Sequence, residues 1–88
     1  MFGKGIYFAD IASKSANYCL PKHNSSGLLL LCEVALGQMN DKFAADYTAH
    51  NLPAGKHSTR GVGKFAPSNM EVIDNVSIPN GELKPTGI

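Results

Sequence analysis

The sequence has 88 residues, a formal net charge of +1, 43% hydrophobic residues and two cysteines. A chain of this length forms at most one small domain, and its limited core makes its stability marginal. The near-neutral charge excludes a strong general attraction to nucleic acid or to an anionic membrane. Two cysteines are too few for a disulfide-rich secreted domain, and the longest apolar run, residues 28–31, is too short to cross a bilayer. Because no apolar signal segment follows Met1, we expect a soluble intracellular chain without a membrane partner.

The first predicted elements are a short strand and a short helix. Residues 6–9 are apolar and follow two glycines, which is typical of a strand. Asp10 stands at the expected N-cap and Pro21 ends the helical pattern, so residues 11–19 predict a helix of about two turns. One helix face is too polar for a core and favours a pocket wall. That face carries Ile11, Lys14, Ser15 and Tyr18.

A long apolar run follows a polar turn. Residues 28–36 are apolar at both alternate sets of positions, with Glu33 as the exception. This pattern predicts a central strand that is buried on both faces. A buried helix is the alternative, but Gly27 and Gly37 at the two ends favour the strand.

The remaining segments carry weaker signals. Residues 38–50 are compatible with a continued strand or a short helix, and residues 51–69 resemble a loop. Residues 70–78 alternate loosely and predict one or two edge strands. The turn-rich residues 79–87 predict a loop. We find no internal repeat and no domain boundary.

Two glycine-rich segments fail as nucleotide-binding motifs. Gly3 and Gly5 precede a predicted strand and lack the third glycine of a dinucleotide fingerprint. Residues 55–64 resemble a phosphate-binding loop, but Ser58 replaces its first glycine and Phe65 replaces its magnesium-binding hydroxyl. A flexible basic loop is the simpler interpretation, with anion contact as the alternative.

The cysteines do not predict a metal site. Cys19, His23 and Cys32 match no structural zinc spacing, and they lack a fourth ligand. Each cysteine is more simply a small buried hydrophobic residue. We therefore expect no metal.

Tyr7, Ser15 and Tyr18 form the most informative set. The two tyrosines flank a predicted strand-to-helix turn, with the serine on the same helix face as Tyr18. Isolated tyrosines are more often half-buried core residues with solvated hydroxyls. Here, however, two rings could hold a planar heterocycle whose amide bonds the serine hydroxyl.

Four blocks of the sequence recur together in one known family. They are MFGKGIYFAD at residues 1–10, SKSANYC at 13–19, GLLLLCEVALG at 27–37 and GKHSTRGVGK at 55–64. In this order and at similar spacings they resemble the catalytic domain of the poly(ADP-ribose) polymerases, over nearly the whole chain. The resemblance is greatest to the DNA-damage-responsive nuclear members, and it implies a nuclear location.

The resemblance implies a fold and a reaction. The expected fold is α+β, a partial ADP-ribosyltransferase fold with two small, mostly antiparallel sheets around an NAD cleft and one short helix. The implied activity transfers ADP-ribose from NAD⁺ to protein side chains, or to growing poly(ADP-ribose), and releases nicotinamide. The implied partners are NAD and acceptors such as chromatin proteins, with DNA contacted only through domains absent from this chain.

The resemblance also assigns site residues by motif. Tyr7 matches the family's catalytic tyrosine, whose ring stacks on nicotinamide. Tyr18 would form the opposite wall, and the Ser15 hydroxyl would bond the carboxamide. The other expected NAD-site residues are Phe8, Ala9 and Lys14, and Lys14 would also border the acceptor side with Met1.

Two members of the family signature have no match in this chain. The signature joins a histidine, a tyrosine and a glutamate on three strands, and the histidine precedes a glycine. None of the three histidines here precedes a glycine, and neither Glu71 nor Glu82 has the context of the catalytic glutamate. We therefore expect residues 1–88 to be a partial catalytic domain without the upstream histidine strand and the downstream glutamate strand, and to be inactive alone.

Two other functions stay open from the sequence. One is a truncated, non-catalytic interaction module. The other is a nucleic-acid-binding fragment, although the near-neutral charge and the lack of interleaved aromatic residues argue against it. The basic loop that it would use contains Lys56, His57, Arg60 and Lys64.

Overall fold

A computed structural model describes residues 1–19 and 25–88, which form one helix and four strands. The elements are α1 (Ala12–Asn17), β1 (Met39–Lys42), β2 (Ser58–Gly61), β3 (Phe65–Ile73) and β4 (Val76–Pro85). Strands β1 and β2 form a parallel pair, and β3 and β4 form an antiparallel pair. The α+β prediction of one short helix and two small sheets is thus confirmed. Pro21, which is predicted to end the helical pattern, and His23 lie outside the described residues.

Helix α1 is shorter than the sequence predicts. Its N-cap is Ile11, with an extended backbone and no side-chain cap, so the prediction of Asp10 as the N-cap is wrong by one position. The backbone closes the first turn instead, because the amides of Lys14 and Ser15 both donate to the Ile11 carbonyl, at 3.1 and 3.4 Å. Tyr18 follows the last helical residue in a near-helical conformation. The sequence therefore predicts the position of the helix correctly, but not the residues at which it begins and ends.

The parallel sheet joins two segments that the sequence left undecided or assigned to a loop. Met39 pairs with Ser58 and Lys42 with Gly61. Its ladder is extended at one end by a 2.9 Å bond from the His57 amide to the Gln38 carbonyl. The loop prediction for residues 51–69 is wrong where β2 and the start of β3 lie, because pairing with a distant segment orders this backbone.

The antiparallel sheet is a hairpin with a two-residue turn. Asp74 and Asn75 have φ values of 50° and 65°, and the residues on either side of them pair as Ile73 with Val76. Such a turn matches the twist of antiparallel strands, so β3 and β4 pair directly on either side of it. Strand β4 consequently runs to Pro85, and the loop prediction for residues 79–87 is wrong.

The predicted strands at residues 6–9 and 28–36 are not formed. Both segments are unpaired, and Ile6, Leu28, Leu30 and Leu31 are exposed by 87% to 101%. A strand that is buried on both faces requires neighbouring strands and covering layers. Neither two-stranded sheet provides them, so the prediction of a buried central strand is wrong for this chain.

Burial is low throughout the described residues. Among them only Ala49 is a buried hydrophobic residue, at 3% exposure. Cys19 is half-buried and Cys32 is exposed, so the prediction of buried cysteines is wrong for Cys32. No helix formed by residues 1–19 or 25–88 combines the length and the apolar character that a membrane crossing requires.

Candidate functional site

The Tyr7 loop, which we define as residues 1–8, is closed by its own tyrosine. The Tyr7 hydroxyl donates a hydrogen bond to the Gly3 carbonyl and accepts one from the Phe2 amide at 3.2 Å. The hydroxyl is thus anchored to the chain, while the residue keeps 56% exposure. A ring held at one edge and open elsewhere can stack on a planar ligand.

The same loop is bound to a distant turn, which we call the 46–50 turn (residues 46–50). The Asp46 amide donates to the Met1 carbonyl at 2.9 Å, and the Lys4 amide donates to His50 Nδ1 at 3.3 Å. Gly3 has a φ of +80°, and a Cβ atom there would lie 2.0 Å from His50 Nδ1 and 2.4 Å from the Tyr47 carbonyl oxygen. Only glycine allows this approach without a shift of the backbone.

The 46–50 turn is stabilised by Asp46. Its Oδ1 accepts hydrogen bonds from the Thr48 amide at 2.9 Å and the Thr48 hydroxyl at 2.7 Å, and its Oδ2 lies 3.0 Å from Lys42 Nζ. The hydrogen bonds from Thr48 and then that from Lys42 lower the pKa of Asp46 to about 2. Sequence analysis missed this turn, although an aspartate two residues before a threonine is a recognisable turn signal.

Helix α1 carries the second part of the expected site. Tyr18 is 80% exposed, Lys14 is exposed and Ser15 is half-buried. Among the described residues, no hydrogen bond engages the Ser15 hydroxyl, whereas its carbonyl accepts from the Tyr18 amide at 3.1 Å. On the predicted polar face, Lys14 and Tyr18 are therefore open to solvent, and Ser15 and Ile11 are partly covered.

The structure does not join the two parts by direct bonds. No hydrogen bond among residues 1–19 and 25–88 connects α1 to the Tyr7 loop. The other expected site residues are open to solvent, with Met1 at 63% exposure, Phe8 at 55%, and Ala9 also exposed.

The basic loop is largely engaged in internal contacts. Arg60 binds Asp41 through two hydrogen bonds, of 2.9 and 2.6 Å. These bonds lower the pKa of the Asp41 carboxyl and raise that of the Arg60 guanidinium. Lys56 Nζ donates to the Met39 carbonyl at 3.3 Å, and His57 Nδ1 accepts from the Gln38 amide at 2.9 Å. These contacts favour a structural role over an anion site.

Metal-ligating side chains do not cluster in the part of the chain that the structure describes. No group of three or more His, Cys, Asp or Glu side chains there could hold a metal ion. His23, which belongs to the zinc set that the sequence argues against, lies outside that part.

Comparison with models of known protein families identifies the family of this chain. The model of the poly(ADP-ribose) polymerase catalytic domain matches residues 1–88. The chain belongs to the poly(ADP-ribose) polymerase family. The resemblance expected from the four sequence blocks is thereby confirmed.

Individual relatives agree with this assignment. Poly [ADP-ribose] polymerase 2-A of Oryza sativa subsp. japonica is 57% identical over 88 residues, covering 96% of this chain and 13% of the relative. Human poly [ADP-ribose] polymerase 2 is 53% identical over 91 residues, covering 100% of this chain and 16% of the relative. This poly(ADP-ribose) polymerase chain thus spans less than a fifth of the length of either relative.

Proposed function

We propose that this chain forms the nicotinamide-holding part of an NAD⁺ ADP-ribosyltransferase. In this reaction ADP-ribose passes from NAD to protein side chains, or to growing poly(ADP-ribose), and nicotinamide is released. The observation that carries the proposal is the match of the family's catalytic-domain model to residues 1–88. Further support comes from the exposure of Tyr7 and Tyr18, at 56% and 80%.

The holding role is proposed for three side chains. Tyr7 would stack on one face of the nicotinamide ring, and its hydroxyl bonds to residues 2 and 3 would keep the ring in place. Tyr18 would cover the opposite face. The Ser15 hydroxyl would bond the carboxamide, since no hydrogen bond of the described residues engages it.

Four other residues complete the proposed site. Phe8 and Ala9, which are both exposed, would line the nicotinamide end. Lys14 would approach NAD and, with Met1, border the acceptor. Their accessibility supports these roles.

The chemistry requires a carboxylate that we assign to no residue of this chain. Cleavage of the bond to nicotinamide passes through an oxocarbenium-like transition state. The site must hold nicotinamide rigidly and place a carboxylate near the developing positive charge. Glu71 accepts a hydrogen bond from Asn80 at 3.0 Å on the hairpin surface, and neither it nor Glu82 is assigned that role.

The proposed partners and location follow from the family. They are NAD as substrate, protein acceptors such as chromatin proteins, and the nucleus as the site of action. DNA would be contacted only through domains outside this chain, and no step is assigned to a metal ion.

A grafted polymerase tests the proposal. In it, the matched segment of the rice relative is replaced by this 88-residue chain. We expect the grafted polymerase to release nicotinamide from NAD and to form ADP-ribosylated protein, and Tyr7→Ala to remove most of both activities. A folded graft without nicotinamide release would overturn the proposal.

A non-catalytic interaction module is the second candidate. It is favoured by the exposed row of apolar side chains at residues 28–36, where Leu31 is 101% exposed. Activity of the grafted polymerase that depends on Tyr7 would decide for the enzyme, because a simple interaction module needs no ring at this position.

A further inference from the structure

His50 makes a contact that sequence motifs do not explain. It lies 46 positions after Lys4, yet its Nδ1 accepts the Lys4 amide at 3.3 Å. The same nitrogen lies closest to the position that a Cβ atom on Gly3 would occupy. The imidazole therefore contacts the backbone of the Gly3–Lys4 peptide and does not merely lie near it.

This peptide also anchors Tyr7. The Tyr7 hydroxyl donates to the Gly3 carbonyl and accepts from the Phe2 amide. Of the described side chains, only Tyr7 and His50 form hydrogen bonds to the backbone of residues 2–4. A shift of the Gly3–Lys4 peptide would consequently move the point at which the Tyr7 ring is held.

We propose that His50 is a positioning residue for Tyr7. Its ring fixes the Gly3–Lys4 peptide on the 46–50 turn, and this peptide in turn sets the position of the tyrosine that stacks on nicotinamide. The inference rests on the proposed function, and it adds to that function a residue from a segment 43 positions away from Tyr7 in the sequence.

The residue next to His50 is buried and hydrogen-bonded. Ala49, its neighbour, is the one buried hydrophobic residue of the described chain, at 3% exposure. The Ala49 carbonyl also accepts from the Thr59 hydroxyl at 3.4 Å, which links the turn to β2. Because these contacts restrain the 46–50 turn, the His50 side chain can in turn restrain the Tyr7 loop.

Two substitutions of His50 distinguish the effect of its hydrogen bond from the effect of the volume of its ring. His50→Leu keeps much of the volume but removes the acceptor. His50→Asn places an amide oxygen near the position of Nδ1 and can accept the same backbone N–H. Rescue by asparagine would therefore identify the acceptor as the group that matters.

His57 provides a matched control. Its Nδ1 also accepts a backbone amide, that of Gln38, at 2.9 Å, beside a glycine whose Cβ would contact the ring. This contact lies at the start of the parallel sheet and does not involve the Tyr7 loop. His57→Leu thus removes a similar interaction without changing the support of Tyr7.

The experiment measures KM for NAD, kcat and affinity for a benzamide probe in the grafted polymerase. We expect His50→Leu to raise KM and the benzamide Kd by about threefold to tenfold, the effect of losing one neutral hydrogen bond. His50→Asn should restore both to within about twofold of the starting values. His57→Leu should change the unfolding midpoint without raising the benzamide Kd.

Each outcome has one meaning. If His50→Leu lowers the unfolding midpoint but leaves KM and the benzamide Kd unchanged, His50 is merely structural and the inference is wrong. If His50→Leu fails to fold, a folded Gly3→Ala variant, which displaces the same peptide, decides: a raised benzamide Kd supports the inference, and an unchanged Kd overturns it. A folded, unsubstituted graft without activity would instead overturn the proposed function.

Discussion

Tyr18 and Ser15 occupy one helix face but differ in accessibility. Tyr18 is 80% exposed at the end of α1, and Ser15 is half-buried one turn earlier. In the grafted polymerase, Tyr18→Ala should cost about 1–3 kcal/mol of binding to a nicotinamide-mimicking inhibitor, the range for one aromatic stacking partner. Ser15→Ala should also weaken that inhibitor, by about 1 kcal/mol, because a hydrogen bond to the amide is lost. Calorimetric titration of each variant measures both effects.

Asn17 is the control for this face. It is exposed in the last turn of α1 and lies off the face formed by Ser15 and Tyr18. Asn17→Ala should leave inhibitor affinity unchanged. Equal losses for Asn17→Ala and Tyr18→Ala at unchanged stability would show that the tyrosine does not line the pocket.

Gly3 and Gly55 permit a test of close packing at single residues. Both have a φ of +80°, but nothing lies within 4 Å of a Cβ at Gly55, whereas one at Gly3 would meet the Tyr47 carbonyl oxygen at 2.4 Å. Gly55→Ala should cost about 1–2 kcal/mol of folding free energy, from the left-handed backbone alone. Gly3→Ala should cost about 1–3 kcal/mol more, because the neighbouring backbone must move.

Denaturant unfolding of the grafted polymerase measures this difference. Gly3→Ala should in addition weaken benzamide binding, since the Gly3 carbonyl anchors Tyr7. Equal stability losses for the two variants would contradict the close approach of the Tyr7 loop to the 46–50 turn.

At the scale of elements, the 46–50 turn should respond to acid through Asp46. The pKa of Asp46 is lowered from 3.8 to about 2, mainly by hydrogen bonds from Thr48 and Lys42. A lowered folded-state pKa means that the stabilisation is complete above the unfolded-state value. It is lost as the pH falls from about 4 through about 2.

Asp46→Asn isolates this contribution. Relative to the parent graft, it should be less stable at pH 6, and the difference should shrink as the pH falls through that window. Unfolding midpoints at several pH values provide the measurement. Glu82→Gln is the control, since Glu82 has no hydrogen-bond partner among the described residues. A stability difference for Asp46→Asn that is independent of pH would contradict the assignment.

At the scale of the whole molecule, the isolated chain should fold poorly. Its radius of gyration is 14.5 Å, whereas a compact domain of this length has about 12 Å. Residues 28–36 are exposed and, except for Glu33, apolar, which favours association of their unpaired backbone. We expect the purified 88-residue chain to aggregate and to unfold without a sharp transition, as followed by circular dichroism and light scattering. A monomer with cooperative two-state unfolding would show that the chain is an autonomous domain.

The isolated chain should also be inactive. Of the family's three signature residues we expect only Tyr7 within these 88 residues, and we assign the transition-state carboxylate to no residue of the chain. Nicotinamide release from NAD should therefore stay at background in a sensitive assay. Release above background that is lost on Tyr7→Ala would contradict this expectation.

The sequence by itself determined the family and the approximate position of α1. Blocks such as residues 1–10 are local, so their identity can be read without knowing what they contact. The expected roles of Tyr7, Ser15 and Tyr18 also came from local motifs, and they await the binding measurements above.

Only the tertiary structure decided which segments pair and which remain open. Pairing of β1 with β2 and docking of Gly3 on His50 join residues far apart in the chain, and local propensity carries no information about such partners. The apolar pattern of residues 28–36 describes a surface to be covered, but a strand forms only where another strand accepts its backbone hydrogen bonds. Within this chain neither two-stranded sheet does so, and the segment stays exposed.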